Sequence, residues 1–204
     1  MLRLFVALPL PEYARDYLAG VAQGIPGARW VSSDRYHLTM RFIGEVDGAV
    51  ARDVCDALER IDLPEIDLQL HGLGTFSDAK RNGPAQRGAA AVLLAGVRQN
   101  EGLNRLRTKI ENAVQRIGLE ADRRKWHPHI TLARLHGQDQ KLLQYLNLRG
   151  DYLGEPFRIR EFNLYSSFLG HGSGALYREE ASFPLGDKMR AEPHWMAAAG
   201  AEEY

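Results

Sequence analysis

The sequence has 204 residues, enough for one compact domain or two small fused lobes. It is 45% hydrophobic and 25% charged, and its 26 basic and 26 acidic residues cancel. This balance argues against a protein that coats long nucleic acids through bulk positive charge, although it allows a nucleic-acid end in a local basic pocket. The single cysteine, Cys55, excludes an intrachain disulfide and a thiolate metal cluster.

The segment 1–9 has too short an apolar run for a signal peptide, and no stretch of the sequence reaches membrane-spanning length. We therefore expect a cytoplasmic protein without a membrane segment. Nothing in the sequence suggests an obligate protein partner, so we expect a monomer.

Apolar, β-prone segments alternate with amphipathic ones along the chain. In order, we predict a strand at 2–10, a helix to about residue 23, strands at 28–31 and 36–43, a helix at 50–61, a strand at 66–70, a loop at 74–88, a strand at 89–97, a helix at 103–117, a strand at 129–135, a short helix at 142–146, and strands at 157–169 and 175–185 joined by a turn at 170–174. This order favours a mixed α/β or α+β protein. We take 1–185 as one domain and 186–204 as a loosely ordered tail.

Two of the predicted strands carry the same short pattern. His37-Leu38-Thr39 and His129-Ile130-Thr131 are separated by 129 − 37 = 92 residues, close to half of the chain. Residues two apart on a strand share a face, so each strand presents an imidazole and a hydroxyl together while the apolar residue between them points into a core. Two such pairs among seven histidines arise in roughly 1% of shuffled sequences.

This pattern suits acid–base chemistry on a phosphate. Imidazole titrates near pH ~6.5, so one histidine can act as base and another as acid at neutral pH. Neutral threonine hydroxyls can donate hydrogen bonds to phosphoryl oxygens and hold the group in line. A strained cyclic phosphodiester needs a base for water, an acid for the leaving alkoxide and donors for the developing charge. The pattern needs no metal and no cofactor for this reaction.

The segments around the two motifs resemble a known family. They read LRLFVALPL at 2–10, YHLTMRFIGEV at 36–46, WHPHITLAR at 126–134 and FNLYSSFLGHGSGALY at 162–177. Together they are similar to the 2H phosphoesterases, and more narrowly to the RNA 2′,3′-cyclic phosphodiesterases, historically called 2′–5′ RNA ligases. Each motif alone is weak, whereas the two contexts together are specific.

The resemblance implies an α+β fold of two pseudo-symmetric lobes around a central cleft, each an antiparallel-rich sheet with helices outside. It implies that His37 is the proton donor to the leaving 3′-oxygen, that His129 is the proton acceptor from water, and that Thr39 and Thr131 bind the phosphate. The expected reaction is hydrolysis of RNA 2′,3′-cyclic phosphate ends to 2′-phosphomonoesters. The loop at 76–89 departs from the family in being rich in Gly and Ala.

Other functions remain open at this point. The protein could ligate RNA halves through a 2′–5′ linkage, or open another small cyclic phosphate, because the core chemistry is shared. It could also be an RNA-end binding module without catalysis, although both motifs are intact. The two histidines could instead be ordinary core residues, and the two threonines ordinary strand formers.

Two arginines near the motifs are candidate substrate ligands. By strict alternation Arg41 shares the face of His37, so we consider it a possible substrate-binding residue. The same rule puts Arg134 on the face opposite His129, where a structural ion pair is as good an interpretation as phosphate binding, unless a bulge redirects the side chain.

Three further residues are weaker candidates for substrate contact. His127 could pair with His129 as a metal ligand, but no further ligands are evident, so we expect no metal site and place His127 at the cleft edge. Trp126 follows the basic run 123–125 and could form a lip for an RNA end, or that run could be a solvated loop. Tyr177 could stack on a base or simply be a rim residue.

Overall fold

The computed structural model describes residues 1–77, 90–136, 140–170 and 174–186. Within these ranges the strands are β1 (Leu2–Pro9), β2 (Arg29–Trp30), β3 (His37–Val46), β4 (Ile66–Leu68), β5 (Leu70–Ser77), β6 (Ala90–Val97), β7 (His129–His136), β8 (Phe157–Ile159), β9 (Glu161–Gly170) and β10 (Gly174–Pro184). The helices are α1 (Glu12–Val21), α2 (Gly48–Glu59), α3 (Glu101–Arg116) and α4 (Gln140–Arg149).

In the described part of the chain, eight strands form one antiparallel sheet. Its order is β10-β9-β1-β3-β7-β6-β5, and β2 pairs with β7 beside this path. A small second sheet pairs β4 with β8. The predicted α+β class is confirmed. The two halves of the chain meet at the centre of one sheet, where β3 and β7 pair antiparallel through Leu38 and Ile130.

The helices begin and end where local chemistry requires. The Asp47 side chain caps α2 by accepting from the backbone N–H groups of Ala49 and Val50, both at 2.9 Å. Asn100 caps α3 in the same way through the N–H of Leu103 at 2.8 Å. Gly118 follows α3 with φ +90°, a conformation that side chains disfavour, so the helix cannot continue. The apolar face of α3 is fully buried, as its periodicity predicts.

The core lies on one face of the large sheet. Leu38 and Ile130 are fully buried there, with side chains of β1, β6, α2 and α3. Because side chains alternate across a strand, the flanking motif residues of β3 and β7 point to the opposite face. Burial of the apolar residue inside each motif therefore presents the polar ones, as the sequence predicts.

Three predicted elements differ from the structure. The segment 66–70 is divided between β4 and β5, and 157–169 between β8 and β9, because in each case the chain leaves the small sheet and joins the large one. The predicted loop at 74–88 begins later, since β5 continues to Ser77 in pairing with β6. The rest of that loop, the tip of the β9–β10 turn and the tail beyond Gly186 lie outside the described residues.

Candidate active site

The two His-x-Thr motifs lie side by side on adjacent strands. Since Leu38 is paired with Ile130, continuing the antiparallel register sets His37 across from Thr131 and Thr39 across from His129. Directly opposed Cβ atoms on such strands are about 5 Å apart and diagonal ones about 7–8 Å. The two imidazoles therefore occupy one diagonal of a four-residue square, and the two hydroxyls occupy the other.

Each imidazole is held by an equivalent hydrogen bond to a backbone carbonyl. His37 Nδ1 lies 2.8 Å from the carbonyl oxygen of Arg35, and His129 Nδ1 lies 2.7 Å from that of His127. A carbonyl can only accept, so Nδ1 carries the proton in each ring and donates it. Nε2 is then the atom of each ring that can exchange a proton with a ligand. The residue two positions before each histidine thus fixes its tautomer.

The two hydroxyls are available to a ligand. Thr39 and Thr131 are both half-buried, and neither hydroxyl has a hydrogen-bond partner among the described residues. Their backbones are held firmly, with Thr39 paired to Ala7 and Thr131 paired to Leu94. The hydroxyls can therefore donate to an oxyanion without first breaking a contact in the protein.

The proximity of the two motifs affects the protonation of His37. Burial lowers the pKa of His37 below its ordinary value, and charge on His129 lowers it further, while the hydrogen bond to Arg35 opposes the change. Charge on His129 therefore opposes protonation of His37. The free site therefore disfavours the doubly protonated form.

Aromatic rings surround His37. The rings of Phe5 and Tyr177 lie 5.2 and 5.3 Å from the imidazole, and that of Tyr165 lies 6.4 Å away. On the other side, Phe76 packs edge-on against His129 at 5.0 Å. Of these rings, the sequence predicts a site role only for Tyr177. It does not predict one for Phe76, because the sequence indicates a loop there; the β-prone run from Leu73 is the signal for a strand.

A β-bulge occurs at the same place in both motif strands. In β3 the pairing with β1 skips Met40, and in β7 the pairing with β6 skips Leu132. The skipped positions are also 132 − 40 = 92 residues apart. At each bulge two consecutive residues are buried, so the alternation of side chains shifts by one position. The residue that follows the bulge therefore points to the same face as the motif histidine and threonine.

The bulge overturns the prediction for Arg41. This side chain is 8% exposed and lies on the core side, where its Nε is 2.8 Å from Glu111 of α3. It also donates to the backbone oxygens of Phe42 and Glu120. Arg41 is therefore a structural residue and does not face the cleft. Phe42 takes the position on the motif face and is 53% exposed, with its ring 6.0 Å from that of Phe5.

The bulge has the opposite consequence for Arg134. Strict alternation put this residue away from His129, but the structure exposes it on the face of His129 and Thr131. Among the described residues it has no ion-pair partner, so the alternative of a structural ion pair lacks support. Arg134 thus fits a role in binding an anion.

The remaining candidates lie around the second motif. His127 is exposed beside Phe76, with ring centroids 6.0 Å apart, and its carbonyl holds His129. Trp126 is half-buried, and its indole N–H donates to the Thr39 carbonyl at 3.2 Å, while Arg107 covers its ring at 5.7 Å. These contacts make Trp126 a brace between the two motif strands, so the interpretation as an RNA-stacking lip is not supported.

A charged network lies behind this brace. The Glu111 carboxylate forms an ion pair with Arg41 and accepts a hydrogen bond from Arg107 at 3.0 Å, while Arg107 also lies 3.7 Å from Asp122. The N–H of Asp122 donates to Glu111 at 3.0 Å, which holds the segment leading into the second motif. Burial alone would raise the pKa of Glu111, but these hydrogen bonds and the two arginines lower it. The carboxylate is thus ionised and joins β3, α3 and the approach to His129.

Metal-binding clusters and membrane-spanning helices are both absent from the residues that the structure describes. No group of three or more His, Cys, Asp or Glu side chains is arranged to hold a metal ion in that part of the chain. In the same part, no helix is both long and apolar enough to cross a membrane.

The chain is similar to known proteins. The family model described as LigT-like phosphoesterase matches residues 8–85 and 96–175. The RNA 2′,3′-cyclic phosphodiesterase of Geobacillus stearothermophilus is 31% identical over 188 residues, which cover 89% of this chain and 56% of that protein, so this chain spans just over half the length of that relative. The enzyme of the same name from Aeropyrum pernix is 30% identical over 167 residues, covering 80% and 88% of the two chains.

A solved structure agrees with the sequence relatives. The Escherichia coli LigT protein in complex with 3′-AMP superposes with a TM-score of 0.72 at 25% identity, covering 91% of this chain and 99% of that one. The family match extends across both motif strands. On this evidence the chain belongs to the LigT-like phosphoesterases, the 2H family that its two motifs indicate.

Proposed function

We propose that this protein hydrolyses 2′,3′-cyclic phosphate ends of RNA to 2′-phosphomonoesters. The observation that carries the proposal is the square formed by two imidazoles and two hydroxyls on adjacent strands. Relatives that bear the name RNA 2′,3′-cyclic phosphodiesterase support the substrate class. The complex of the E. coli neighbour with 3′-AMP supports a nucleotide-sized occupant.

In the proposed mechanism the phosphate lies over the square. Thr39 and Thr131, at opposite corners of the square, donate hydrogen bonds to its non-bridging oxygens. These hydrogen bonds strengthen as negative charge develops on the oxygens. Their placement on two strands fixes the phosphorus between the imidazoles. The aromatic rings around His37 exclude water from that side, which strengthens the same hydrogen bonds.

His129 Nε2 accepts a proton from the attacking water, whose oxygen forms the new bond to phosphorus. His37 Nε2 donates its proton to the ribose 3′-oxygen as the P–O3′ bond breaks. The phosphate stays on the 2′-oxygen, and the two histidines finish in exchanged protonation states. The carbonyls of Arg35 and His127 keep both rings oriented throughout, because each continues to accept from Nδ1–H.

Assigning the acid role to His37 requires help from the substrate. In the free protein burial lowers the pKa of this histidine, which favours its neutral form. A bound phosphate anion favours the protonated form of a neighbouring imidazole. The substrate itself thus supports protonation of the residue that must donate, and the proton becomes available when the leaving oxygen is in place.

The surrounding residues have supporting parts in this proposal. Arg134 faces the same side as His129, so it can add positive charge to the surface over which the substrate lies. Tyr177, at 5.3 Å from His37, can contact the ribose or base, and His127 lies at the edge beside Phe76. Ligation through a 2′–5′ linkage is the reverse use of the same groups, with a ribose hydroxyl replacing water.

The deciding experiment is product analysis of an oligoribonucleotide with a 2′,3′-cyclic phosphate end, incubated with the protein in EDTA. We expect a 2′-phosphate product and full activity under chelation. A 3′-phosphate product would mean that the 2′-oxygen is the leaving group and would contradict the mechanism. A substrate that binds but remains unchanged would favour a binding module.

A further inference from the structure

The pairing of β2 with β7 places two arginines directly opposite each other. Arg29 is the partner of Arg134, and Trp30 is the partner of Ala133. Directly opposed residues of antiparallel strands point to the same face. Trp30 packs against the core together with the buried Ala133, so Arg29 and Arg134 share the other face, and both are exposed.

Opposed like charges on neighbouring strands are destabilising unless an anion compensates them. In the described ranges neither Arg29 nor Arg134 forms an ion pair or a hydrogen bond through its side chain. Each guanidinium presents a planar set of N–H donors that matches the oxygens of a phosphate. The pair therefore forms a local positive site in a protein whose formal net charge is zero.

The position of this arginine pair suits a second phosphate. A strand rises about 3.3 Å per residue, so Arg134 is up to about 10 Å along β7 from Thr131. That separation is on the scale of one nucleotide step along an extended single strand. Because the bulge returns Arg134 to the face of the motifs, a chain lying over the site could reach both places.

We propose that Arg29 and Arg134 form a second anion subsite, which binds the phosphodiester next to the cyclic phosphate of an RNA end. This inference rests on the proposed cyclic phosphodiesterase function and narrows its substrate class. It makes an oligoribonucleotide, which has the neighbouring phosphodiester, a better substrate than a cyclic mononucleotide, which lacks it.

Arg29→Gln tests the subsite, because Arg29 belongs to β2 and to neither motif strand. We expect the ratio of kcat/KM for a cyclic-phosphate trinucleotide to kcat/KM for a 2′,3′-cyclic mononucleotide to fall about ten-fold. Arg29→Lys keeps a charge and is expected to keep most of the ratio. Arg52→Gln removes an exposed arginine from α2, which belongs to neither motif strand, and serves as the matched control.

A binding measurement separates failure of the subsite from failure of the proposed function. Fluorescence anisotropy of a labelled trinucleotide that ends in a 3′-phosphate, measured at rising NaCl, needs no turnover. Loss of one phosphate contact on a single strand lowers the slope of log affinity against log salt by about 0.7. We expect this change, with about ten-fold weaker binding, for Arg29→Gln and not for Arg52→Gln.

The outcomes are distinct. If the wild type turns over neither substrate but the binding change appears, the catalytic proposal fails and the subsite stands. If Arg29→Gln leaves trinucleotide affinity and salt slope unchanged, the subsite is wrong, whatever the activity. An equal loss on trinucleotide and mononucleotide would put Arg29 at the reacting phosphate and would also overturn the inference.

Discussion

The two halves of the molecule use one backbone arrangement in two different surroundings. Each half supplies a His-x-Thr strand, an imidazole held by the carbonyl two residues earlier, and a bulge at the same distance from the histidine. Aromatic rings of Phe5 and Tyr177 pack around the first motif. The second motif is more open, and Arg134 is exposed after its bulge.

The residues after the two bulges show the difference most clearly. Phe42 and Arg134 are equivalent, since 134 − 42 = 92, and both are exposed on the motif face. Arg41 and Ala133 are equivalent in the same way, and both are buried. The bulge therefore sets the direction of each side chain, while the residue type decides whether that side chain carries charge, offers an aromatic ring or packs in the core.

The largest expected effect tests whether the two halves contribute equally to catalysis. We expect His37→Ala and His129→Ala each to lower kcat by about 10²–10⁴, because each removes one proton transfer. The double variant is expected to lose little more than the worse single one, since the pair acts as a unit. The measurement is steady-state hydrolysis of a cyclic-phosphate oligonucleotide in EDTA.

His71→Ala is the control for these variants, because His71 is exposed and lies outside both motifs. Circular dichroism should show that all variants are folded. Retention of more than a tenth of the activity by either motif variant would show that the halves do not share the chemistry as proposed.

A somewhat smaller effect is expected at the equivalent hydroxyls. Thr39→Val and Thr131→Val keep the side-chain shape but remove the donor, and loss of one such donor typically lowers kcat by about 10²–10³. Thr→Ser at either position restores a hydroxyl and should recover most of the rate. If the Val substitution at one position leaves kcat unchanged, only the threonine of the other motif binds the phosphate. The proposal that both threonines bind it would then be wrong.

The buried arginine of the first half gives a stability prediction. Glu111→Gln leaves Arg41 without its counter-charge, and breaking a buried ion pair costs about 3 kcal/mol at the lower end of the usual range. That corresponds to a fall in Tm of roughly 6–12 °C for a domain of this size. Differential scanning calorimetry measures it.

Glu101→Gln in the same helix is the matched control, because it breaks the Glu101–Arg105 pair, whose side chains are 78% and 64% exposed. Exposed pairs contribute at most about 1 kcal/mol. If Arg41→Met raised KM while Tm stayed unchanged, Arg41 would face the substrate after all, and the effect of the bulge on this half would need revision.

The smallest expected effect concerns pH. In the proposed mechanism His37 must be protonated while His129 is neutral, so both histidines shape the kcat/KM profile and neither limb belongs to one of them alone. Burial, with His129, lowers the pKa of His37, so we expect an NMR titration of its ring in the free protein to give a pKa below the ordinary histidine value of ~6.5.

The same titration with bound phosphate is expected to give a higher pKa for His37, because the anion favours the protonated imidazole. A pKa above ~6.5 in the free protein, or no rise on binding phosphate, would contradict the proposal that the substrate supports protonation of His37.

Much of the frame was predictable from local sequence. The period-two alternation around Leu38 and Ile130 identified both motif strands and the residues that each presents. Helical spacing with Gly118 identified α3, and its caps agree. These features depend on residues close together in the chain, which is why a single sequence is enough to recognise them.

Other features depended on neighbours that sequence order does not reveal. Phe76 reaches His129 only because β5 pairs with β6, and Trp126 contacts Thr39 across 87 residues of sequence. Prediction of either contact requires the strand order of the sheet. Arg41 and Arg134 each lie on the face opposite to the one that strict alternation predicts. Prediction of their directions also requires the register of each motif strand against its neighbouring strand.

That two strands each offer an imidazole with a hydroxyl follows from local sequence, because alternation about a buried residue is a property of extended backbone. Three other features depend on the fold: the two strands are adjacent, a bulge turns Arg41 inward and Arg134 outward, and Arg29 lies opposite Arg134. A bulge and a register arise from pairing with another strand, and one strand's own residues do not specify them.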